Sequence, residues 1–151
     1  MRGRLVDTRI KRKRFELSDL KEQIDSLYDF NTGKTVRLYD TLSKKERNLL
    51  VFWSPTCSFS KDFFLHQLND EAVGIYCFPM TDDFDYLKYY IDKKNIQYSQ
   101  LMLQGSQANK SIEASSIVAT PTFVVVDDTG KDLAQYIGIN EMDEMISFLY
   151  Q

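Results

Sequence analysis

Cys57 closes the run Leu49-Leu50-Val51-Phe52-Trp53-Ser54-Pro55-Thr56-Cys57, which reads as a hydrophobic strand followed by a short turn. The turn delivers the thiol to a predicted helix N-terminus, where unpaired backbone N–H groups and the helix dipole favour thiolate over thiol. A dithiol centre needs a second cysteine three residues on, one helical turn away, to attack the mixed disulfide. Ser60 holds that position, so the motif is C-x-x-S, Cys57-Ser58-Phe59-Ser60. Such a site can begin thiol–disulfide exchange but needs an outside thiol to finish it.

Few other residues compete for a chemical role. Cys77 lies in the apolar run Val73-Gly74-Ile75-Tyr76-Cys77-Phe78, which reads as a central strand. A cysteine there behaves as a small buried hydrophobe, and a Cys57–Cys77 disulfide is not expected. His66 is the single histidine, nine residues past Cys57. That is about 13 Å along a helix axis, too far to activate the thiol. Ligand-grade Cys and His are too few for a metal site, and no Gly-rich phosphate loop is present, so neither metal nor cofactor is expected.

At 151 residues the chain suits one domain with a substantial core. A hydrophobic content of 43% with 13% aromatics places it among globular chains. The longest apolar stretch, Leu49 to Trp53, falls far short of the roughly 18 residues a membrane span needs. No apolar signal region follows the basic start. The expectation is a cytoplasmic protein, or a mature fragment whose export signal has been removed.

Charge is unevenly spread. Residues 1–14 carry seven Lys or Arg against one Asp, a balance of +6, and the rest carries 12 basic against 21 acidic residues, −9. The division is therefore a basic N-terminal arm, residues 1–15, ahead of a single domain over residues 16–151. The arm contains Arg9-Ile10-Lys11-Arg12-Lys13-Arg14 and could meet an anionic surface. The acidic body argues against nucleic acid as a partner, and the arm reads as solvated or as the stub of an anchor. A monomer is expected.

The elements that must position Cys57 follow from caps and periodicity. Ser18 reads as an N-cap, with Leu20, Ile24 and Leu27 on one helical face. Asn31-Thr32-Gly33 signals a turn, and Val36 and Leu38 alternate as in a strand. Lys44 to Asn48 reads as a charged loop leading into the central strand. After Cys57, Phe59 with Phe63 and Phe64 with Leu68 stand at i, i+4, which predicts a helix that buries a broad face and stops near Asn69-Asp70. Thr81 caps a second helix, with Asp82, Asp83 and Asp85 first, Lys93-Lys94 last, and Phe84, Leu87 and Ile91 as its buried stripe. Its tyrosines, Tyr86, Tyr89 and Tyr90, are read as amphipathic packing. A short helix is expected around Ala108 to Ser115, and a final one capped by Asn140 with Met142, Met145, Ile146 and Leu149 inside.

With those residues in place, the chain resembles the thioredoxin superfamily, and within it the TlpA-like thiol–disulfide oxidoreductases tethered in bacterial envelopes. Phe52-Trp53 precede Cys57 at the family spacing. Ala119-Thr120-Pro121-Thr122-Phe123-Val124-Val125-Val126-Asp127 is similar to the family's cis-proline loop and the buried strand after it. Asp128-Thr129-Gly130-Lys131 reads as the hairpin turn, and Tyr136-Ile137-Gly138 as the end of the last strand. The resemblance spans roughly Lys34 to the C-terminus. It implies an α/β fold, a thioredoxin-like three-layer α/β/α sandwich with a mixed central sheet. It also implies that Thr120 and Pro121 align an extended substrate beside Cys57, with Thr56 and Ser58 flanking it.

The departures from the family pattern bear on mechanism. The aromatic residue usual before the nucleophile is Thr56. The acid that thioredoxins carry six residues before it is Val51, and the glutamate frequent six residues after it in the envelope group is Phe63. Two readings follow. In the first, Cys57 is a single nucleophilic thiol, helped by a Ser60 hydrogen bond, and its partners are protein thiols or disulfides, or a small thiol. In the second, the fold is a redox-inactive binding or scaffold module.

Overall fold

Strand β3 (Asn48–Trp53) is the axis around which the sheet is built. Its apolar run is buried along its whole length, the signature of a strand covered on both faces. Period-two alternation then divides its side chains between two cores. Leu49, Val51 and Trp53 join one apolar cluster, while Leu50 and Phe52 join the other. The computed structural model describes residues 24–66, 68–81, 83–103 and 120–151. The basic arm, the Ser18 cap with Leu20, Asp82 and the short helix expected around Ala108 to Ser115 lie outside the described residues.

Among the described residues the chain order begins with β1 (Leu27–Asp29), β2 (Lys34–Val36) and α1 (Leu38–Thr41). After β3 come α2 (Ser58–Phe63), β4 (Gly74–Pro79), α3 (Phe84–Lys94) and β5 (Ser99–Leu103). The chain closes with β6 (Thr122–Val126), β7 (Asp132–Ile137), a 3-10 turn (Ile139–Glu141) and α4 (Met142–Leu149). The seven strands lie in the order β2-β1-β5-β4-β3-β6-β7. β4 runs parallel to β3 and to β5, and β6 runs antiparallel to β3, so the sheet is mixed.

Residues from α2, α3 and α4 pack over one face, with Phe63, Leu87, Tyr90, Ile91, Met142, Met145 and Leu149 in the same cluster as Val51 and Cys77. On the other face Leu38 and Leu42 pack with Leu50, Phe52, Phe78 and Val124. Gly74 opens β4 because an added Cβ there would run into the Asn48 amide, the Ser43 hydroxyl and the Tyr76 ring. Gly130 takes φ 88° in the β6–β7 turn, a conformation that glycine adopts without strain.

Several local expectations shift. Leu27, read as helical, starts a strand because it pairs with Val36 and Leu103, and pairing across strands outweighs local propensity. Leu38, read as strand, opens α1 instead. The cap of α3 is Asp83, whose carboxylate accepts the Tyr86 N–H at 3.0 Å, while the Thr81 hydroxyl accepts the Asp83 N–H. Phe84 is 49% exposed and meets the Tyr28 and Phe30 rings, so Tyr90 takes its place in the buried stripe. Asn140 sits inside the 3-10 turn that precedes α4, whose N-cap is Glu141.

Candidate functional site

The site lies where β3 ends and β6 begins. Their antiparallel register pairs Phe52 with Thr122 and Val51 with Phe123. That pairing carries the residues before Thr122 past the turn after Trp53. Thr120 and Cys57 meet there: the thiol donates to the Thr120 carbonyl with Sγ and O 3.6 Å apart. The Thr120–Pro121 peptide bond is cis, and the Pro121 carbonyl accepts the Gly138 N–H at 2.8 Å, which ties the loop to the end of β7.

Cys57 is the N-cap of α2, with extended φ −96° and ψ 119°. Its N–H donates to the Ser54 carbonyl at 3.1 Å, and its own carbonyl accepts the Lys61 N–H at 3.3 Å. The thiol is half-buried. Desolvation opposes its ionisation, but hydrogen bonds from the Thr120 side chain, the N–H and hydroxyl of Ser60 and the Phe59 N–H outweigh it. The net result is a thiol held below its ordinary value, because groups that bond the charged form favour that form.

Ser60 is fully buried, and its oxygen accepts the Ser54 N–H at 3.1 Å. One hydroxyl therefore braces the turn and also bonds Cys57. Thr56 and Ser58 are exposed on either side of the cysteine. The Thr56 hydroxyl lies 3.0 Å from that of Ser54, which caps the turn locally. Val51 and Phe63 are both fully buried apolar residues, so the two positions at which the resemblance implied acids are built into the core.

α2 is shorter than its i, i+4 pairs imply. It ends at Phe63 and continues as i→i−3 turns, with Phe64, Leu65 and His66 N–H groups donating to Lys61, Asp62 and Phe63 carbonyls. Within α2 Phe63 is buried, while Phe59 faces solvent, 58% exposed, two residues from the thiol. A Tyr98 hydroxyl accepting the Leu68 N–H at 3.1 Å holds the end of this turn down. His66 lies on that tail with its Nδ1 3.3 Å from the Asp62 carbonyl.

Cys77 is fully buried, and burial pushes its thiol far up despite a hydrogen bond with Gln100. Both cysteines are free thiols. Among the described residues no group of three or more His, Cys, Asp or Glu is arranged to hold a metal ion. No helix among them is long and apolar enough to cross a membrane. The sequence reading passed over Gln100, which stands just before the apolar run Leu101-Met102-Leu103.

A family model described as a thioredoxin-like domain matches residues 36–151. No curated protein matches the sequence. Among solved structures, the thioredoxin domain of a thiol-disulfide oxidoreductase from Bacteroides vulgatus is similar, at 23% identity and TM-score 0.61, over 80% of this chain and 91% of that one. A thiol-disulfide oxidoreductase from Bacteroides fragilis matches at 20% identity and TM-score 0.63, over 82% and 96%. The C-terminal domain of a putative thiol-disulfide oxidoreductase from Bacteroides thetaiotaomicron matches at 16% identity and TM-score 0.65, over 91% and 95%. At these identities the likeness establishes the fold.

Proposed function

The chain belongs to the thioredoxin-like domain family, and from that premise we propose that it is a single-cysteine thiol–disulfide oxidoreductase of the bacterial, TlpA-like kind. The observation that carries the proposal is the set of hydrogen bonds around Cys57. They hold a half-exposed thiol below its ordinary value beside the Thr120 carbonyl.

In this reading the Cys57 thiolate attacks one sulfur of a substrate disulfide. A Cys57–substrate S–S bond forms, the substrate S–S bond breaks, and the second substrate sulfur leaves as a thiolate that takes up a proton. An external thiolate then attacks the mixed disulfide. It forms a new disulfide with the substrate sulfur and releases Cys57 as thiolate. The Ser60 hydroxyl and the Ser60 and Phe59 N–H groups stabilise that leaving thiolate. Thr56, Ser58, Thr120 and Pro121 border the path of an extended substrate. The partners are protein thiols or disulfides, or a small thiol, met by a monomer.

The alternative is a binding module in which the fold is kept and turnover is lost. Phe63 and Val51 in the core favour it, because they leave no acid at the two positions where the resemblance implies a proton acceptor. The deciding experiment is the rate of iodoacetamide alkylation against pH, on this protein and on Cys57→Ala. A Cys57 midpoint clearly below the usual thiol value of about 8.5 supports the oxidoreductase. A midpoint at or above that value supports the binding module.

A further inference from the structure

Gln100 is a fully buried amide in β5, and every polar group it owns is bound. Its N–H donates to the Asn31 side-chain oxygen at 2.9 Å, and its carbonyl accepts the Phe30 N–H at 2.9 Å. Its Nε2 donates to the Tyr98 carbonyl at 3.3 Å. Its Oε1 accepts the indole N–H of Trp53 at 3.0 Å. An indole can only donate, so this bond fixes which way the amide points and leaves the two Nε2 donors for the Tyr98 carbonyl and the Cys77 sulfur.

Trp53 is the last residue of β3, four before Cys57. Its carbonyl accepts the Met80 N–H at 2.7 Å. Its ring meets Phe64, the C-cap of α2, edge-on at 4.7 Å and lies 5.7 Å from the Tyr90 ring. The Lys61 ammonium of α2 in turn sits over Tyr90 at 5.4 Å. The indole is thus the floor on which α2 rests, and its one polar atom is anchored by Gln100.

We propose that Gln100 is a positioning residue for Cys57: the Gln100–Trp53 hydrogen bond fixes the indole against which α2 is seated, and so fixes the aim of the Phe59 and Ser60 N–H groups at the sulfur. An apolar side chain at position 100 leaves the indole N–H buried without an acceptor, and the ring must turn to find one. α2 then follows its floor. The inference rests on Cys57 being the reactive thiol, as proposed above.

The test is the pH midpoint of Cys57 alkylation in four proteins, each also melted thermally. Gln100→Met removes the acceptor and is expected to raise the midpoint by about half a pH unit, a roughly threefold loss of thiolate below the midpoint. Trp53→Phe removes the donor and is expected to raise it similarly, which keeps the inference testable if Gln100→Met fails to fold. Asn31→Ala breaks a different bond of Gln100 and is expected to lower the melting temperature without moving the midpoint. An unmoved midpoint in Gln100→Met or in Trp53→Phe overturns the inference. Equal shifts in Gln100→Met and Asn31→Ala overturn it too, since general loosening then explains both. An ordinary midpoint in the parent protein instead overturns the proposed function itself.

Discussion

The buried hydroxyl of Ser60 accepts the backbone N–H of Ser54 at 3.1 Å, across the turn that presents Cys57. With its oxygen occupied in this way, the hydroxyl keeps one proton to give, and Cys57 takes it. Ser60→Ala is therefore expected to act twice. It leaves the Ser54 N–H without its partner, at a cost of about 1–3 kcal/mol, and it raises the Cys57 titration midpoint. Chemical denaturation and the alkylation profile measure the two effects separately.

Ser60→Cys places a thiol, a weaker acceptor, in the same position. The protein as it stands is expected to be nearly inactive in insulin reduction with a dithiol reductase, because each mixed disulfide waits for an outside thiolate. Ser60→Cys is expected to cycle slowly, since Val51 and Phe63 supply no carboxylate to take the proton of the buried second thiol. Fast turnover by the unmodified chain without added thiol would contradict the single-cysteine mechanism.

Restoring an acid at position 63 is not a remedy. Phe63 is fully buried, with its ring 5.5 Å from Phe123 and 5.1 Å from Phe64. Phe63→Glu loses that packing, worth about 3–5 kcal/mol for a core phenylalanine, and adds an unpaired carboxyl. The expected outcome is a largely unfolded protein by circular dichroism.

The two thiols are expected to respond to pH in opposite directions. Cys57 titrates lower folded than unfolded, so its contribution to stability is present above the unfolded value and is lost as pH falls through the folded one. Burial raises Cys77 and, as the leading cause in each, Tyr76, Tyr90 and Tyr98. Their contributions are present below the unfolded values and are lost as pH rises towards the folded ones. Cys77 alone is expected to remove about 1.4 kcal/mol for each pH unit above about 8.5. Urea melts of the parent and of Cys77→Ala from pH 7 to 10 measure the difference in slope. A thiol reagent is expected to label Cys57 quickly and Cys77 only after unfolding.

Asp127 ties the β6–β7 turn by accepting the Thr129 hydroxyl at 2.6 Å and the Thr129 and Lys131 N–H groups at 2.8 and 2.9 Å. These bonds, the Thr129 hydroxyl foremost, lower its pKa. The stabilisation is present above the unfolded carboxyl value of about 3.9 and is lost as pH falls through the lower folded one. Asp127→Ala is expected to speed amide exchange in the hairpin at pH 7, and the two proteins should converge near pH 2.

Elements with a strong local signature were legible in the sequence. The unbroken apolar run of β3, the Thr120-Pro121 loop with its Val-rich strand and the glycine turns all reappear where they were expected. Failures arise where a distant partner decides. Nothing near Leu27 announces that Val36 and Leu103 will pair with it. The spacing of Phe59 and Phe63 is helical, yet Phe63 packs against Tyr98 and Phe123 while Phe59 stays outside. Gln100 was invisible for the same reason: its importance lies in Trp53, 47 residues away.

The thiol of Cys57 and the carbonyl of Thr120 are separated by 63 residues of chain. Closing a loop of that length costs chain entropy that grows as about 1.5RT ln n, and no contact inside the turn repays it. β3–β6 pairing repays it, through Leu49 with Val125, Leu50 with Val124 and Val51 with Phe123. A slip of one residue in that ladder would turn Phe123 and Val125 towards the wrong core and carry Thr120 away from the sulfur. Cys57 reactivity is thus a readout of long-range assembly. During refolding it is expected to reach its native rate together with the last strand pairing, well after α2 is able to form.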